Sequence, residues 1–277
     1  GKIDELGLHL KEAEIIEPLT YDKFDLYVSK YYQIRCRHGV NREEARRYMR
    51  QGIYFGPMMV REGDADVFIS GRTRYYPLVF RPVRRVMSDR LKGKLLCTVF
   101  MVLANNRTYF LADTATTVNP SAEQVVGIAE NVHELATSLG VNPKIALLSY
   151  SNFGSFRSES SEKMKKAAEI LWEKHPDWPV DGEIQADVAI SPETLKDDYP
   201  FAKIQGGANC LIFPNLDAAN ITYRLLSKLG NATTIGPLLT GLDVPMHLVQ
   251  RGSDVDDIVN IAAVGVAQAR AMQNNGG

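Results

Sequence analysis

The stretch 206–257 reads GGANCLIFPNLDAANITYRLLSKLG and then NATTIGPLLTGLDVPMHLVQRGSDVDD, and its reading decides the fold class. Cys210 to Phe213 is a short apolar run of the kind found in strands buried on both faces. Pro214-Asn215 stops it, and Asp217 or Asn215 is placed to cap the helix implied by Ala219, Ile221, Tyr223, Leu225 and Leu226. A second strand-like stretch, 247–249, runs into Gln250-Arg251-Gly252-Ser253-Asp254, after which a new helix begins near Val255. Twice, then, a strand tip passes through a polar turn into a helix N-terminus. In open α/β sheets ligands bind at such places, because backbone amides and the helix dipole converge there. Arg251, followed by Gly252, is positioned to hold a phosphate or carboxylate.

The alternation continues outward. A short amphipathic piece and Ile15-Ile16-Glu17-Pro18, a strand-and-stop signal, open the chain. Phe24, Tyr27, Val28, Tyr31 and Ile34 fall at helical spacing across 21–37, and His38-Gly39 closes that helix. Asn41 with Glu44 forms a capping-box pattern before the charged run REEARRYMR. A turn at Glu62-Gly63-Asp64 precedes an apolar strand over 65–69, and Pro77 opens a helix carrying Phe80, Arg81, Val83 and Val86. Strands at 94–103 and 108–112 read as a hairpin about Asn105-Asn106-Arg107. A helix over 121–139 ends at Gly140; a strand at 144–148, a helix at 158–174 and a strand at 183–190 follow. This order predicts an α/β fold with mostly parallel sheets. Asn119-Pro120 marks the expected domain boundary, giving one unit of 1–118 plus 239–277 and another of 119–238. The last helix, 256–272, carries Ala and Val on several faces; it is expected to be largely buried and to return to the first unit.

A chain of 277 residues is long for one core. Its formal net charge is -1, with basic residues spread throughout, so composition makes no case for nucleic acid or a membrane surface as partner. No apolar run approaches the ~20 residues of a membrane helix, and the opening GKIDELGLHL is unlike a signal peptide. A cytoplasmic protein is expected. Its first residue is Gly, not Met, which suggests a piece of a longer chain. Cys36, Cys97 and Cys210 lie far apart, and the latter two sit in apolar runs, as buried free thiols do. The five histidines show no metal-ligand spacing, and no metal site is expected.

Three polar strand tips stand out: Ser70-Gly71, Ser149 to Ser155 (with Ser151, Asn152 and Gly154), and Gln250 to Ser253. If they converge, they form a crevice for a phosphate- or acyl-bearing ligand; each is also what an ordinary turn requires. The usual dinucleotide, P-loop and nucleophile-elbow fingerprints are absent. Asp254, Asp256 and Asp257 occupy a helix first turn, where acidic residues favour the dipole in any case. That explanation is weakest for Asp257, one turn from Ser253 and near Arg251.

MMVREGDADVFISG, LADTATTVNPSAEQ, ANCLIFPNLDAANITYRLLSKLG, IGPLLTGLDVP and QRGSDVDDIVNIAAVGVAQA closely resemble the phosphate acetyltransferase/butyryltransferase family over nearly the whole chain. The resemblance implies two Rossmann-like three-layer domains with a cleft between them, the first completed by the C-terminal helix, and a homodimer. It also implies roles: Arg251 for the arginine beside the reacting groups, Asp257 for the base if the domain is active, and Arg81 and Arg35 for two further anion-binding arginines. Gln250 stands where the family has a serine beside that arginine. Arg72-Thr73-Arg74-Tyr75-Tyr76 replaces a small, hydroxyl-rich loop, and Phe153 replaces a lysine. These departures resemble the C-terminal domain of hybrid NADP-dependent malic enzymes. That implies a regulatory module binding acetyl-CoA at Arg251, Gln250, Ser253, Asp257, Arg81, Arg35, Ser70, Ser149, Ser151, Asn152 and Gly154. NADP and a divalent metal would then belong only to an attached upstream malic domain, with no cofactor resident here. The alternatives are a working acyltransferase and a purely structural dimerisation module.

Overall fold

The computed structural model describes residues 5–7, 13–91, 93–230 and 232–275. Most of the N-terminal amphipathic piece lies outside them. Ile15 and Ile16 form no strand: Ile15 is exposed, Ile16 packs on the helical core, and Pro18 begins a single 3-10 turn.

The first layer is helical, comprising α1 (Phe24–Arg35), α2 (Arg42–Met49) and α3 (Gly52–Arg61). The Asn41–Glu44 capping box forms in both directions and starts α2. Strand β1 (Phe68–Ser70) and helix α4 (Tyr76–Val86) follow. Tyr27, Tyr31, Met49, Met58, Val83 and Met246 are fully buried together here. Lys23 and Tyr27 both bond Asp64, tying α1 to the turn after α3.

Next come β2 (Cys97–Ala104), β3 (Arg107–Ala112), α5 (Ala122–Ser138), β4 (Ile145–Leu148), α6 (Glu159–Lys174) and β5 (Val180–Ile184). Helices α7 (Ala186–Ile190) and α8 (Pro192–Asp197) lead to β6 (Cys210–Ile212), α9 (Leu216–Leu229), β7 (Thr233–Thr240), β8 (Met246–Leu248) and α10 (Val255–Asn275). Six strands form one sheet in the order β5-β4-β6-β3-β2-β7, and β1 pairs β8 separately. The β1/β8, β3/β6, β4/β6 and β4/β5 ladders are parallel; only β2/β3 and β2/β7 are antiparallel. The α/β class with mostly parallel sheets is therefore observed. The hairpin forms, but its first strand starts at Cys97 and Arg107 pairs within the second, leaving a two-residue turn with Asn105 and Asn106 at φ 50° and 61°, the left-handed pair such a turn needs.

Alternate residues of the large sheet serve two cores. Ile145, Leu147, Cys210 and Ile212 face α5 and α6, while Ala146, Leu148 and Leu211 face Ala219 and Tyr223 of α9. Covering both faces explains why these strands are apolar at every position.

Three expectations need correction. The strand placed at 183–190 is Val180–Ile184, and 186–190 is helix. Asp181 hides the strand from a composition test: it is buried because it accepts bonds from the amides of Gly182 and Lys203. A boundary at 118/119 assigns β2 and β3 to the first unit, yet hydrogen bonds place them inside the six-stranded sheet between β6 and β7. Finally, α10 is half exposed, with Val255 and Val259 at 74% and 58% exposure. Its inner face packs two ways: Ile261 and Val264 join the core around α5, and Gly265 lies against Val67 and His247.

Candidate functional site

Parallel pairing of β1 with β8 brings the first and third tips together. Ser70 is in register with Leu248, and the Val249 amide donates to the Ser70 carbonyl at 2.8 Å. Gly71, at φ 148°, packs so closely that a Cβ would land on the Val249 carbonyl. Only glycine satisfies both the conformation and the space. Arg72 Nε crosses to the third tip and donates to the Ser253 carbonyl at 3.1 Å. Ser253 itself is buried.

Arg251 projects outward from this junction, with its guanidinium carbon 5.1 Å from the centre of the Tyr75 ring. Gln250 turns the other way and donates through Nε2 to the Tyr223 hydroxyl at 3.2 Å. Tyr223 lies on α9 and stacks on Phe100 at 3.9 Å, so the third tip is anchored to the large sheet. Tyr76 is sunk beside Asp113 and Thr116, and its buried hydroxyl makes no hydrogen bond. Burial pushes that hydroxyl's pKa up. Asp113 closes the turn after β3: its Oδ1 accepts from the Thr98 amide and hydroxyl and from the amides of Ala115 and Thr116, and its Oδ2 from Thr117.

Asp257 is committed locally. Its Oδ2 accepts from the Asp254 amide at 3.1 Å while Asp254 Oδ1 accepts from the Asp257 amide at 2.9 Å. The pair is thus a reciprocal cap of α10, and the dipole-and-cap explanation extends to Asp257 as well. Arg81 is exposed on α4. Arg35 bonds Ser88 Oγ at 3.3 Å, and its Nε is buried without a partner. Ser88 lies just past the C-terminal end of α4, so this contact ties the Arg35 guanidinium to that end of the helix.

The second tip is occupied with its own loop. Ser151 Oγ donates to Glu183 Oε1 at 3.1 Å, and the Gly154 amide donates to the same oxygen at 2.6 Å. Asn152 exchanges two bonds with Gln185, and the Ser149 amide donates to Ile184. Phe153 packs on Tyr199 and Phe201. No hydrogen bond links this loop to the other two tips among the described residues, and for Ser149, Ser151, Asn152 and Gly154 the turn explanation accounts for what is seen. Residues 149–155 nonetheless leave the same edge of the sheet as Asp113 and Pro214, since β4, β6 and β3 run parallel.

Sequence reasoning gave no role to Asp113 or to the Tyr223 contact, and singled out Arg72 to Tyr76 only as a bulky replacement of the family's small loop. RTRYY was visible as an anomaly after a strand tip; the Tyr223 contact had no local signal. Grooves of about 720 and 550 Å³ flank α5, lined in part by Glu130, His133 and Gln268, and neither is lined by any of the three polar tips. Among the described residues no group of His, Cys, Asp and Glu could hold a metal ion. No described helix is long and apolar enough to cross a membrane.

Comparison with known proteins accords with this geometry. A phosphate acetyltransferase of Thermoanaerobacterium thermosaccharolyticum is 35% identical over 98% of this chain and 86% of its own length. An NADP-dependent malic enzyme of Salmonella typhimurium is 35% identical over 97% of this chain, but the match spans only 36% of that longer protein. The solved phosphotransacetylase of Streptococcus pyogenes superposes with a TM-score of 0.88 at 33% identity, covering 97% of this chain and 82% of that one. Residues 1–266 match the family described as "Phosphate acetyl/butaryl transferase", and the chain belongs to that family.

Proposed function

We propose that this chain is the regulatory, phosphotransacetylase-like domain of a hybrid NADP-dependent malic enzyme, binding acetyl-CoA at Arg251 without transferring its acyl group. One observation carries the reading. Arg251 stands at the junction of two strand tips with the Tyr75 ring against its guanidinium, while the neighbouring side chain, Gln250, is turned to Tyr223. Acyl transfer needs a donor aimed at the reacting carbonyl, and losing one such donor costs roughly 2.7–4 kcal/mol of transition-state stabilisation. An anion clamp needs only the guanidinium and nearby amides.

The malic enzyme relative supports the fusion, since the matched region leaves most of that protein's length for another domain. On this reading NADP and a divalent cation are held by the attached malic domain, and this domain has no resident cofactor. The domain is cytoplasmic and pairs with a second copy. An exposed apolar row on α9, Ile221, Leu225 and Leu229, is consistent with such pairing. Arg81 is kept as a second anion contact, and Arg35, now bonded to Ser88, as a third.

The second reading, an active phosphate acetyl- or butyryltransferase, is favoured by relatives such as the T. thermosaccharolyticum protein, named for that activity and matched almost end to end. Two measurements separate the readings. Calorimetric binding of acetyl-CoA, with no turnover of acetyl phosphate and coenzyme A, supports the regulatory domain; absence of binding at millimolar acetyl-CoA removes it. Steady turnover that disappears in a folded Asp257→Asn variant establishes the transferase.

A further inference from the structure

The loop that distinguishes this chain is fastened at both ends and exposed between them. Gly71 fixes its start against Val249, and the Arg74 amide donates to the Gly71 carbonyl at 2.6 Å. Arg72 reaches across to the Ser253 carbonyl. At the other end Tyr76 is sunk, stacked on Phe80 with ring centres 5.7 Å apart and its hydroxyl beside Thr116. Between these anchors Tyr75 is 64% exposed, and the Arg251 guanidinium is the cation over its ring.

We propose that Tyr75 is the built-in occupant of the Arg251 anion site, so that a phosphate-bearing ligand gains the guanidinium only by displacing the ring, while Arg72 and Tyr76 keep the strap in place. The inference rests on the acetyl-CoA reading above and adds a determinant of access to it. A guanidinium over an aromatic face is a satisfied cation, and a phosphate must replace that attraction as well as shed water. Because Tyr75 is mostly in solvent, moving it uncovers little apolar surface, and the strap's fastenings need not break.

The test is calorimetric titration of acetyl-CoA into the wild-type chain and into Tyr75→Ala, Tyr75→Phe and Arg251→Ala, each checked for folding by circular dichroism. Removing the ring is expected to tighten binding about two- to fivefold, the equivalent of ~0.5–1 kcal/mol for an exposed cation–π pair. Tyr75→Phe keeps the ring face and should match wild type, and Arg251→Ala should abolish binding. Equal or weaker binding by Tyr75→Ala, with wild type still binding, overturns the gate and leaves the acetyl-CoA reading standing. Binding that survives in Arg251→Ala overturns the assignment of the site. Failure of both wild type and Tyr75→Ala to bind at millimolar acetyl-CoA removes the underlying function itself.

Discussion

His247 sets a limit on acid stability that is open to direct measurement. It lies in β8, fully buried, three residues before Gln250. Its Nε2–H donates to Gln268 Oε1 at 2.6 Å, its Nδ1 is buried without a partner, and Gly265 and Val67 close the space beside it. Burial pushes its pKa from 6.5 down to about 4, overcoming the opposing effect of Gln268. The sign follows from linkage: the unfolded chain takes up this proton first, so the stabilisation is complete above pH 6.5 and is lost as pH falls towards 4. At about 1.36 kcal/mol per pH unit the full loss is about 3 kcal/mol, of which about 2 kcal/mol has gone by pH 5. His247→Gln retains a polar side chain for Gln268 but cannot titrate. Urea unfolding followed by circular dichroism at pH 7.5, 6.5, 5.5 and 5.0 should give wild type a decline of about 2 kcal/mol that the variant lacks. His133, whose pKa burial also lowers, contributes equally to both proteins. Asp64 and Asp89, with pKa values lowered chiefly by Lys23 and Arg61 respectively, act below this window. Parallel declines in the two proteins would refute the reasoning.

Two further outcomes probe the strand-tip junction. Gly71→Ala forces a Cβ onto the Val249 carbonyl at a φ that alanine avoids, and should destabilise the protein by about 1–3 kcal/mol in thermal melts while weakening acetyl-CoA binding. Unchanged melting would show that the two tips are not in contact. Asp113→Ala removes the acceptor for four amides and a hydroxyl in a buried turn and should cost at least about 3 kcal/mol, read from urea midpoints. A cost below about 1 kcal/mol would mean that water or another group satisfies those donors.

Much of the fold was legible because it is written in short-range chemistry. Asn41 and Glu44, and Asn215 at the head of α9, cap their helices as their spacing demands, each bond closing within three residues. Asn105-Asn106 turned the hairpin because both tolerate a positive φ. The all-apolar runs at 145–148 and 210–212 marked strands covered on both sides. Where these signals failed, a distant partner had changed the local rule, as Lys203 does for Asp181 in β5.

The site divides in the same way. Sequence alone determined that Arg251 follows a strand tip at a helix start, and that RTRYY is out of place after Ser70-Gly71. Tertiary structure decided that the first and third tips meet, that Gln250 turns to Tyr223 and Tyr75 to Arg251, and that Arg35 is held at the C-terminal end of α4. The physical reason is sequence separation: Gly71 and Val249 touch only because parallel pairing brings two remote strands side by side, and side chains at such a junction choose partners by proximity in space, which no local pattern encodes.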